Sequence, residues 1–269
     1  MQLPIRTVEK PWGKDALPPP FITPDGKRIG EIWFEPPAQL PQLLVKYLFT
    51  SEKLSVQVHP SDTQTEAAGI GRQGKEECWL VIDAEPGATL GIGFHQHLDA
   101  ETMRAAALDG SIEKLLVWHP VTAGDFFYIP ANTVHAIGPG CSIIEIQQNS
   151  DITYRLYDYG RPRELHLDEA IGVAKGESLA EGSRKNVPAS GDAALVRGPY
   201  FLLDQVDGQP DAGTLQDYDA DRPLLVIPRE GNCIVDGAGV GPGECALAPS
   251  LADITFVTDG KVLIAQPLA

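Results

Sequence analysis

A short run of alternating residues carries the side chains best suited to metal chemistry. Within residues 54–60, the polar residues Ser55, Gln57 and His59 alternate with leucine and valine. This alternation predicts a strand, and because successive side chains point to opposite faces, the three polar side chains share one face. That face either meets solvent or, if the strand belongs to a barrel, presents an amide and an imidazole to one interior point.

Glu77 adds a carboxylate at the start of the next predicted strand, just before the apolar run 78–82. One imidazole nitrogen with an amide and a carboxylate oxygen suits a borderline divalent cation such as zinc. Taken singly, each residue has a simpler interpretation, because a lone histidine is usually a surface residue and a glutamate before a strand is usually solvated. His95 and His97 have ligand-like spacing but no third ligand beside them, and we expect no site there.

Composition limits the classes of protein that could position these residues. The chain has 269 residues, 43% of them hydrophobic and 22% charged, which is ordinary for a globular protein with a sizeable core. Its 27 glycines and 23 prolines favour short strands joined by turns. A net charge of −16 argues against nucleic acid and anionic membranes as partners. An anionic substrate would therefore need a local cluster of lysine and arginine.

Most predicted elements are short strands, separated by a few helices. Ser61 and Gln64 have capping-box spacing and predict a helix over about 62–68, while Asp99 and Gly110 bound another. The predicted helices span 62–68, 100–109, 111 to about 118, and 167–174. The predicted strands span 30–34, 42–50, 54–59, 77–83, 88–94, 126–129, 141–148 and 151–159, with a further strand starting at His135.

The C-terminal part contains an apparent second copy of one element. Gly124 stands six residues before Pro130, and His135 follows five residues later; Gly243 stands six residues before Pro249, with Ile254 in the histidine's place. This spacing predicts two small all-β barrels, of which only the first holds a metal. We expect a catalytic domain over 1–175, a polar linker over 176–193, and a second, metal-free domain over 194–269.

Other features indicate a soluble cytoplasmic protein. The four cysteines lack Cys-x-x-Cys spacing and are expected to be free, three of them in buried positions. The N-terminus has no signal-peptide pattern, and no apolar run approaches the roughly 20 residues needed for a membrane span.

Several stretches together resemble the zinc-dependent (type I) mannose-6-phosphate isomerases of the cupin superfamily, in their short bacterial form. These stretches are 54–62, 74–79, 124–136, 147–161 and 164–168. The combination of Ser-x-Gln-x-His-Pro, Lys-x-Glu and Tyr-Arg-x-Tyr-Asp is specific, and the resemblance extends over about residues 28–172. It implies a mainly β fold with two cupin-type jelly-roll barrels and a few short helices.

The resemblance also implies a metal site. Its ligands would be Gln57, His59, Glu77 and His135, holding one zinc ion per chain and leaving positions open for substrate or water. Some longer relatives have a histidine where this chain has Gly74, so any role of that histidine cannot be transferred.

The remaining implied site residues line a pocket for a sugar phosphate. Lys75 and Arg155 match the family's pocket cations, Ser55 its pocket serine, and Glu145 and Asp151 its acidic positions. The expected reaction interconverts D-mannose 6-phosphate and D-fructose 6-phosphate through a cis-enediol, with the metal acting as a Lewis acid.

The base that moves the proton is not fixed by the sequence. Glu145 lies on an apolar strand, so desolvation is expected to raise its pKa towards neutrality; Asp151 and a water on the metal are alternatives. Arg155 and Lys75 are expected to hold the phosphate or the enediolate. Further candidates for the phosphate are Lys53, Arg161 and Arg163.

Three other functions compete with this prediction. A non-catalytic sugar-phosphate-binding cupin would keep the fold without the metal, so metal content discriminates it. An iron oxygenase of the cupin class typically has His-x-His where this chain has Gln57-x-His59. Another aldose–ketose isomerase would differ in substrate preference. For the predicted isomerase we expect a monomer whose partner is its sugar-phosphate substrate.

Overall fold

This computed structural model describes residues 1–268 of the chain. Within this range the chain contains twenty strands and four short α-helices. The predicted mainly β class is therefore confirmed. The longest of these helices has 10 residues, and no helix in the described range is long and apolar enough to cross a membrane. All four cysteines are free thiols, as predicted, and all four are buried, one more than predicted.

The N-terminal part contains twelve strands and all four α-helices. Its strands are β1 (Ile5–Lys14), β2 (Ile29–Phe34), β3 (Leu43–Phe49), β4 (Val56–Val58), β5 (Glu77–Ala84), β6 (Thr89–Phe94), β7 (Leu116–Pro120), β8 (Asp125–Ile129), β9 (His135–Ile137), β10 (Cys141–Gln148), β11 (Tyr154–Tyr157) and β12 (Arg184–Asn186). Its helices are α1 (Asp62–Ala67), α2 (Ala100–Asp109), α3 (Ile112–Leu115) and α4 (Leu167–Val173).

The C-terminal part contains eight strands and one short 3-10 helix, Leu251–Asp253. The strands are β13 (Ala193–Arg197), β14 (Phe201–Asp207), β15 (Leu224–Glu230), β16 (Cys233–Val235), β17 (Ala238–Val240), β18 (Ala246–Ala248), β19 (Ile254–Thr255) and β20 (Lys261–Pro267).

These strands form four antiparallel sheets. Two of them contain β1–β12, which we call the N-terminal unit, and two contain β13–β20, which we call the C-terminal unit. The N-terminal unit has a seven-stranded sheet in the order β1-β2-β3-β10-β5-β8-β12 and a five-stranded sheet in the order β11-β4-β9-β6-β7. The C-terminal unit has a five-stranded sheet, β13-β14-β20-β15-β18, and a three-stranded sheet, β17-β16-β19. None of these sheets closes on itself within residues 1–268.

Strand register places polar side chains in rows. In the seven-stranded sheet, Glu145 of β10 is paired with Lys46 of β3 on one side and with Trp79 of β5 on the other. In the five-stranded sheet, Gln57 is paired with both His135 and Arg155. Because directly paired residues share a face, each sheet contributes one row of polar and ionisable side chains.

The opposite face of β3 and β10 belongs to the core. Tyr47 and Ile144 alternate with Lys46 and Glu145, and both lie in the largest hydrophobic cluster. That cluster contains residues of both units, among them Phe126 from the first and Leu203 from the second. The two units are therefore packed around a common core.

Contacts along the chain reinforce this packing. The segment predicted as a linker contains β12, which pairs with β8 of the N-terminal unit. At the other end of the chain, the backbone N–H of Leu3 donates to the carbonyl of Cys245 at 2.8 Å. Each unit is thus held against the other by backbone pairing as well as by apolar contacts.

The predicted helix ends agree with the structure except at one point. The backbone N–H of Ser61 donates to Gln64 Oε1 at 2.9 Å, as the capping box requires, and Asp99 caps α2 through Thr102 N–H at 2.8 Å. The prediction that α3 ends near Trp118 is wrong, because Leu116–Pro120 is the strand β7. Pairing with β6 takes these residues out of the helix.

Candidate metal centre and adjoining cleft

Three buried side chains converge between the two sheets of the N-terminal unit. Glu77 Oε1 lies 3.3 Å from His135 Nε2 and 3.7 Å from His59 Nε2. Each of the three residues is 1% exposed. They come from the start of β5, the start of β9 and the residue after β4, and no second group of three such ligands occurs in residues 1–268.

Backbone carbonyls orient both imidazoles. His59 Nδ1 lies 2.8 Å from the carbonyl of Ile152, and His135 Nδ1 lies 2.9 Å from the carbonyl of Thr133. Nδ1–H donates in each case, which leaves the lone pair of Nε2 facing the centre of the group. This is the usual arrangement of metal-binding histidines, whose second nitrogen is fixed by an outer hydrogen bond.

Burial keeps these histidines neutral. It lowers the pKa of His135 to about 4, and together with the adjacent Lys75 it lowers the pKa of His59 well below its ordinary value. Burial also raises the pKa of Glu77 to about 7, although Lys75 opposes the rise. A cation at the centre would reverse the effect on Glu77 and favour its ionised form.

The spacing fits a metal ion. Two ligands that are each about 2.1 Å from a tetrahedral metal lie about 3.4 Å apart, close to the distances found here. Both oxygens of the Glu77 carboxylate are buried without a well-formed hydrogen bond among residues 1–268. Lys75 Nζ lies 2.8 Å from Glu77 Oε2, so the two groups form an ion pair, although their orientation does not suit a hydrogen bond. The group can therefore bind a metal.

Gln57 and Ser55 adjoin this group. Gln57 Nε2 lies 3.3 Å from His135 Nε2, and the Ser55 hydroxyl donates to Gln57 Oε1 at 3.1 Å. A metal ligand would have to be the amide oxygen, so the amide must turn over relative to this conformation. Both residues line a cleft of about 220 Å³ that opens from the metal group.

The charge of this cleft differs from that of the whole chain. Its cationic lining residues are Lys10, Lys46, Lys75, Arg155 and Arg163. Its acidic lining residues are Glu31, Glu145 and Asp151. Cations outnumber acids here although the chain carries a net charge of −16, so the cleft offers the local basic surface that an anionic substrate requires.

The prediction that the pKa of Glu145 is raised towards neutrality is wrong. Burial alone would raise it, but the ammonium groups of Lys75 and Lys46 outweigh burial and lower the pKa of Glu145 to about 2. Their Nζ atoms lie 3.6 and 3.2 Å from Glu145 Oε1. Glu145 is consequently an ion-paired carboxylate rather than a base near neutrality.

Lys46 is the main site residue that sequence reasoning missed. It is 5% exposed, donates to Gln147 Oε1 at 2.6 Å, and lies 4.4 Å from the centre of the Trp33 ring. Burial lowers its pKa, and Glu145 opposes that effect. The only sequence signal was a lysine inside an otherwise apolar strand.

Arg155 is the lining arginine available to a ligand. It is half-buried, its Nε has no hydrogen-bond partner, and no carboxylate in residues 1–268 lies within 4 Å of it. Burial lowers its pKa. Arg163 also lines the cleft but is bonded to Asp158 through two nitrogens, at 2.6 and 2.7 Å.

The other predicted phosphate ligands do not line the cleft. Lys53 pairs with Glu113, and Arg161 pairs with Asp158. Asp151, by contrast, lines the cleft with an exposed side chain and forms no ion pair in the described range. The structure thus brings together the predicted metal ligands and the predicted cleft residues, whereas Lys53 and Arg161 lie outside the cleft.

Gly74 explains how the loop before β5 approaches the metal group. A Cβ at this position would overlap the backbone of Pro60 and Ser61, directly after His59. The close approach sets Lys75 against His59, with 3.2 Å between Nζ and Nε2. A side chain such as the histidine of longer relatives does not fit this backbone.

The C-terminal unit has no equivalent group. Ile254, which occupies the position corresponding to His135 in the apparent repeat, is 8% exposed and lies in a cluster of apolar residues. Apolar packing therefore replaces metal ligation in that unit within the described residues.

Comparisons with known proteins agree with this geometry. No protein-family profile matches the chain. It is 44% identical over 206 residues to mannose-6-phosphate isomerase ManA of Bacillus subtilis, covering 73% of this chain and 62% of that protein. It is 41% identical over 169 residues to the mannose-6-phosphate isomerase of Streptococcus mutans, covering 60% and 53%. In these alignments the chain spans less than two thirds of its relatives' length.

Solved structures share the fold along almost the whole chain. The mannose 6-phosphate isomerase of Bacillus subtilis superposes with a TM-score of 0.81 and 24% identity, covering 98% of both chains. A variant of phosphomannose isomerase from Salmonella typhimurium superposes with a TM-score of 0.73 and 14% identity, covering 100% of this chain and 99% of the other. The resemblance predicted from the sequence motifs is confirmed.

Proposed function

We propose that this chain is a metal-dependent aldose–ketose isomerase that interconverts D-mannose 6-phosphate and D-fructose 6-phosphate. The observation that carries the proposal is the buried His59–Glu77–His135 group beside a cleft that contains an unpaired arginine. Similarity to mannose-6-phosphate isomerases supports the choice of substrate. The sugar phosphate is the expected partner, and we place the activity in a cytoplasmic monomer.

Zinc is the metal we propose, one ion per chain. Gln57, His59, Glu77 and His135 supply two imidazole nitrogens and two oxygens, a donor set that suits zinc and leaves room for substrate oxygens. When bound, the ion would act as a Lewis acid for the negative charge that develops on O1 and O2 of the sugar.

Arg155 is the residue we propose for the phosphate. Its guanidinium has no carboxylate partner within 4 Å in the described residues, and arginine binds phosphate through two nitrogens at once. Lys75 lies between the metal group and Glu145, where its ammonium would stabilise an enediolate. With the Gln57 amide turned so that its oxygen faces the metal, the Ser55 hydroxyl would accept a hydrogen bond from the amide nitrogen.

Asp151 is the better of the two candidate carboxylate bases. Transfer of a proton between C2 and C1 needs a carboxylate whose pKa is not far below the working pH. The low pKa of Glu145 makes it a weak base, whereas Asp151 lines the same cleft without an ion pair in the described range. We assign Glu145 to holding Lys46 and Lys75 in place.

The architecture supports the same family. We propose that each pair of sheets is a cupin-type jelly-roll barrel, formed by two facing sheets rather than by one closed sheet. In this description residues 1–175 form the catalytic barrel, 176–193 the connection and 194–269 the metal-free barrel. The inward rows of the first sheet pair supply the site residues.

Turnover of mannose 6-phosphate to fructose 6-phosphate by purified protein tests the proposal. Activity should disappear on chelation and return when zinc is added, while magnesium at the same concentration serves as the control. Folded, zinc-loaded protein that binds the sugar phosphate without turnover would instead identify a non-catalytic sugar-phosphate-binding cupin.

Arg155→Met separates phosphate recognition from chemistry. We expect roughly a 100-fold loss in kcat/KM for the phosphorylated sugar, because a charge-assisted contact is removed, and little change for free mannose. Arg104→Met is the control, at a partly exposed arginine of α2 that pairs with Asp168 and does not line the cleft. Equal losses for both sugars would assign Arg155 to another role.

A further inference from the structure

A second cavity lies between the two units, on the opposite face of the strands that line the metal cleft. It has a volume of about 330 Å³, which is at the lower end of the range for small-molecule sites. Tyr47 of β3 and Ile144 of β10 form one wall, and Arg229 of β15 forms the other. None of the proposed chemistry uses these residues.

Arg229 is placed in this cavity by an irregularity in β15. Pro228 pairs with Val262 and Glu230 pairs with Lys261, so Arg229 is the extra residue of a β-bulge. Bulges of this kind redirect a side chain and occur preferentially near functional sites. The bulge therefore directs a guanidinium between the two units.

Arg229 forms no ion pair in the described residues, although the carboxylate of Glu230, which also lines the cavity, acts on its charge from a greater distance. Its Nη1 donates to Gln205 Oε1, but its Nε is buried without a hydrogen bond, and no carboxylate in residues 1–268 lies within 4 Å. Burial lowers the pKa of Arg229. The neighbouring Glu230 pairs instead with Lys261 at 2.8 Å. A partly buried cation without an anion costs stability, which calls for a compensating ligand.

Ser142 is an independent indication of a ligand. It is 1% exposed, lines the same cavity, and its hydroxyl has no hydrogen-bond partner in the described part of the chain. Tyr47, which pairs with Ile144 on the neighbouring strand, lines the same cavity; burial raises the pKa of Tyr47, and the charge of Arg229 opposes that rise. A cation and an unsatisfied hydroxyl thus face one space.

Much of the remaining lining is apolar. Phe21, Ile82 and the prolines at 18–20 contribute to it, while the carboxylate of Glu230 is paired with Lys261. Asp83 lies exposed at the edge of the cavity, where it would repel an anion at the mouth. A ligand is therefore favoured when its charge points inward to Arg229 and its apolar part contacts Phe21 and Ile82.

We propose that this cavity binds a small organic anion, a carboxylate or phosphate monoester attached to an apolar body. Arg229 binds the anionic group, with the Ser142 hydroxyl as a second donor. Because Tyr47 and Ile144 directly neighbour Lys46 and Glu145 on the same strands, an occupant contacts the reverse side of the metal cleft. The site does not depend on the proposed isomerase activity.

The test uses 4-bromobenzoate, whose carboxylate and ring match the two parts of the cavity. Calorimetric titration should detect binding to the full-length protein, with at least about a tenfold loss of affinity in Arg229→Met. Arg72→Met, at an exposed arginine without an ion pair in the described residues, should bind like the unaltered protein. The uncharged analogue 4-bromobenzyl alcohol should bind more weakly.

Crystals soaked with the same compound locate the site through anomalous scattering by bromine. We expect density in the cavity, with the carboxylate against Arg229. Density only in the cleft beside Arg155, water alone in the cavity, or equal affinity in Arg229→Met would overturn the proposal. If Arg229→Met does not fold, Ser142→Ala replaces it, and unchanged affinity together with an empty cavity has the same meaning.

Discussion

Lys46, Lys75, Glu77 and Glu145 are four ionisable residues, each at most 5% exposed, in one small region. Burying a charge costs several kcal/mol unless it is paired, and here each charge is adjacent to one of opposite sign. Apolar side chains of similar size would form a more stable core. Such clusters of perturbed groups are typical of active sites, which is why we attribute them to chemistry rather than to folding.

Glu77→Gln should abolish stable metal binding. The substitution removes the only anionic ligand and leaves a neutral amide of similar size, so we expect at least about a 100-fold lower affinity for zinc. Metal content after gel filtration measures the effect.

Glu76→Gln is the matched control. Glu76 is adjacent in the chain but accepts a hydrogen bond from Tyr128 instead of facing the metal group. Equal zinc content in Glu77→Gln and Glu76→Gln would contradict the assignment of Glu77 as a ligand.

The metal-free protein should lose stability as the pH falls from about 6.5 to about 4. His135 has a pKa of about 4 when folded and an ordinary value of 6.5, so between these values the unfolded chain binds more protons. The unfolding free energy therefore decreases with falling pH, by roughly 3 kcal/mol for this residue. Urea denaturation at a series of pH values measures it.

His135→Gln should reduce that dependence, because glutamine does not titrate, and the remaining slope comes in part from His59, whose pKa is also lowered by burial. His97→Gln, at a histidine that is exposed beside Glu177, should retain the full slope. Identical slopes in all three proteins would show that His135 does not titrate as the burial of its ring requires.

At the level of elements, alternation and turn residues predicted most strands of the N-terminal unit, but not β1 or β7. Cys141–Gln148 has the predicted bounds, because an apolar run between a glycine turn and a polar loop leaves little freedom. The strand predicted over 54–59 is only Val56–Val58, yet its polar face does meet the interior. The short strand β12 within 176–193 was missed, since its three exposed residues give no pattern.

The site residues that belong to sequence motifs were predictable. The contacts between residues far apart in the chain were not. Lys46 and Glu145 are 99 positions apart, and no local pattern shows that β3 pairs with β10. The sequence indicated that Glu145 is buried, which gives the correct sign for desolvation. It did not show that Lys46 and Lys75 lie beside Glu145, and their charges lower its pKa although burial alone would raise it.

Gly74→Ala should disturb the approach of the Lys75–Glu77 segment to His59. Because the added methyl would overlap backbone atoms rather than a flexible side chain, the two segments must separate. We expect a loss of about 2 kcal/mol or more in unfolding free energy, together with reduced zinc content. Both are measured on the same preparation.

Gly172→Ala is the control for this substitution. Gly172 lies within α4, and a Cβ there would meet nothing within 4 Å. Alanine favours a helix by about 0.5–1 kcal/mol over glycine, so this variant should be slightly more stable. Stability unchanged in Gly74→Ala would refute the close approach.

On the scale of the whole molecule, the two units depend on each other. The largest cluster includes apolar residues of the C-terminal unit, among them Leu203, Leu225 and Leu263, packed with Phe126 and Ile144 of the N-terminal unit. Each such side chain contributes about 1.5–3 kcal/mol when buried. Several together match the total stability of a typical protein, about 5–15 kcal/mol.

Residues 1–192 alone should therefore fail to fold into a stable, active unit, although they contain every residue proposed for the isomerase site. Removing β13–β20 exposes the face of β3 and β10 that carries Tyr47 and Ile144. We expect aggregation in gel filtration and no cooperative unfolding. Coexpression with residues 193–269 should restore solubility and cooperative unfolding, because this cut falls between β12 and β13 and breaks no sheet. A monomeric, cooperatively unfolding and fully active fragment would show that the common core is dispensable, and the C-terminal unit would then need another explanation.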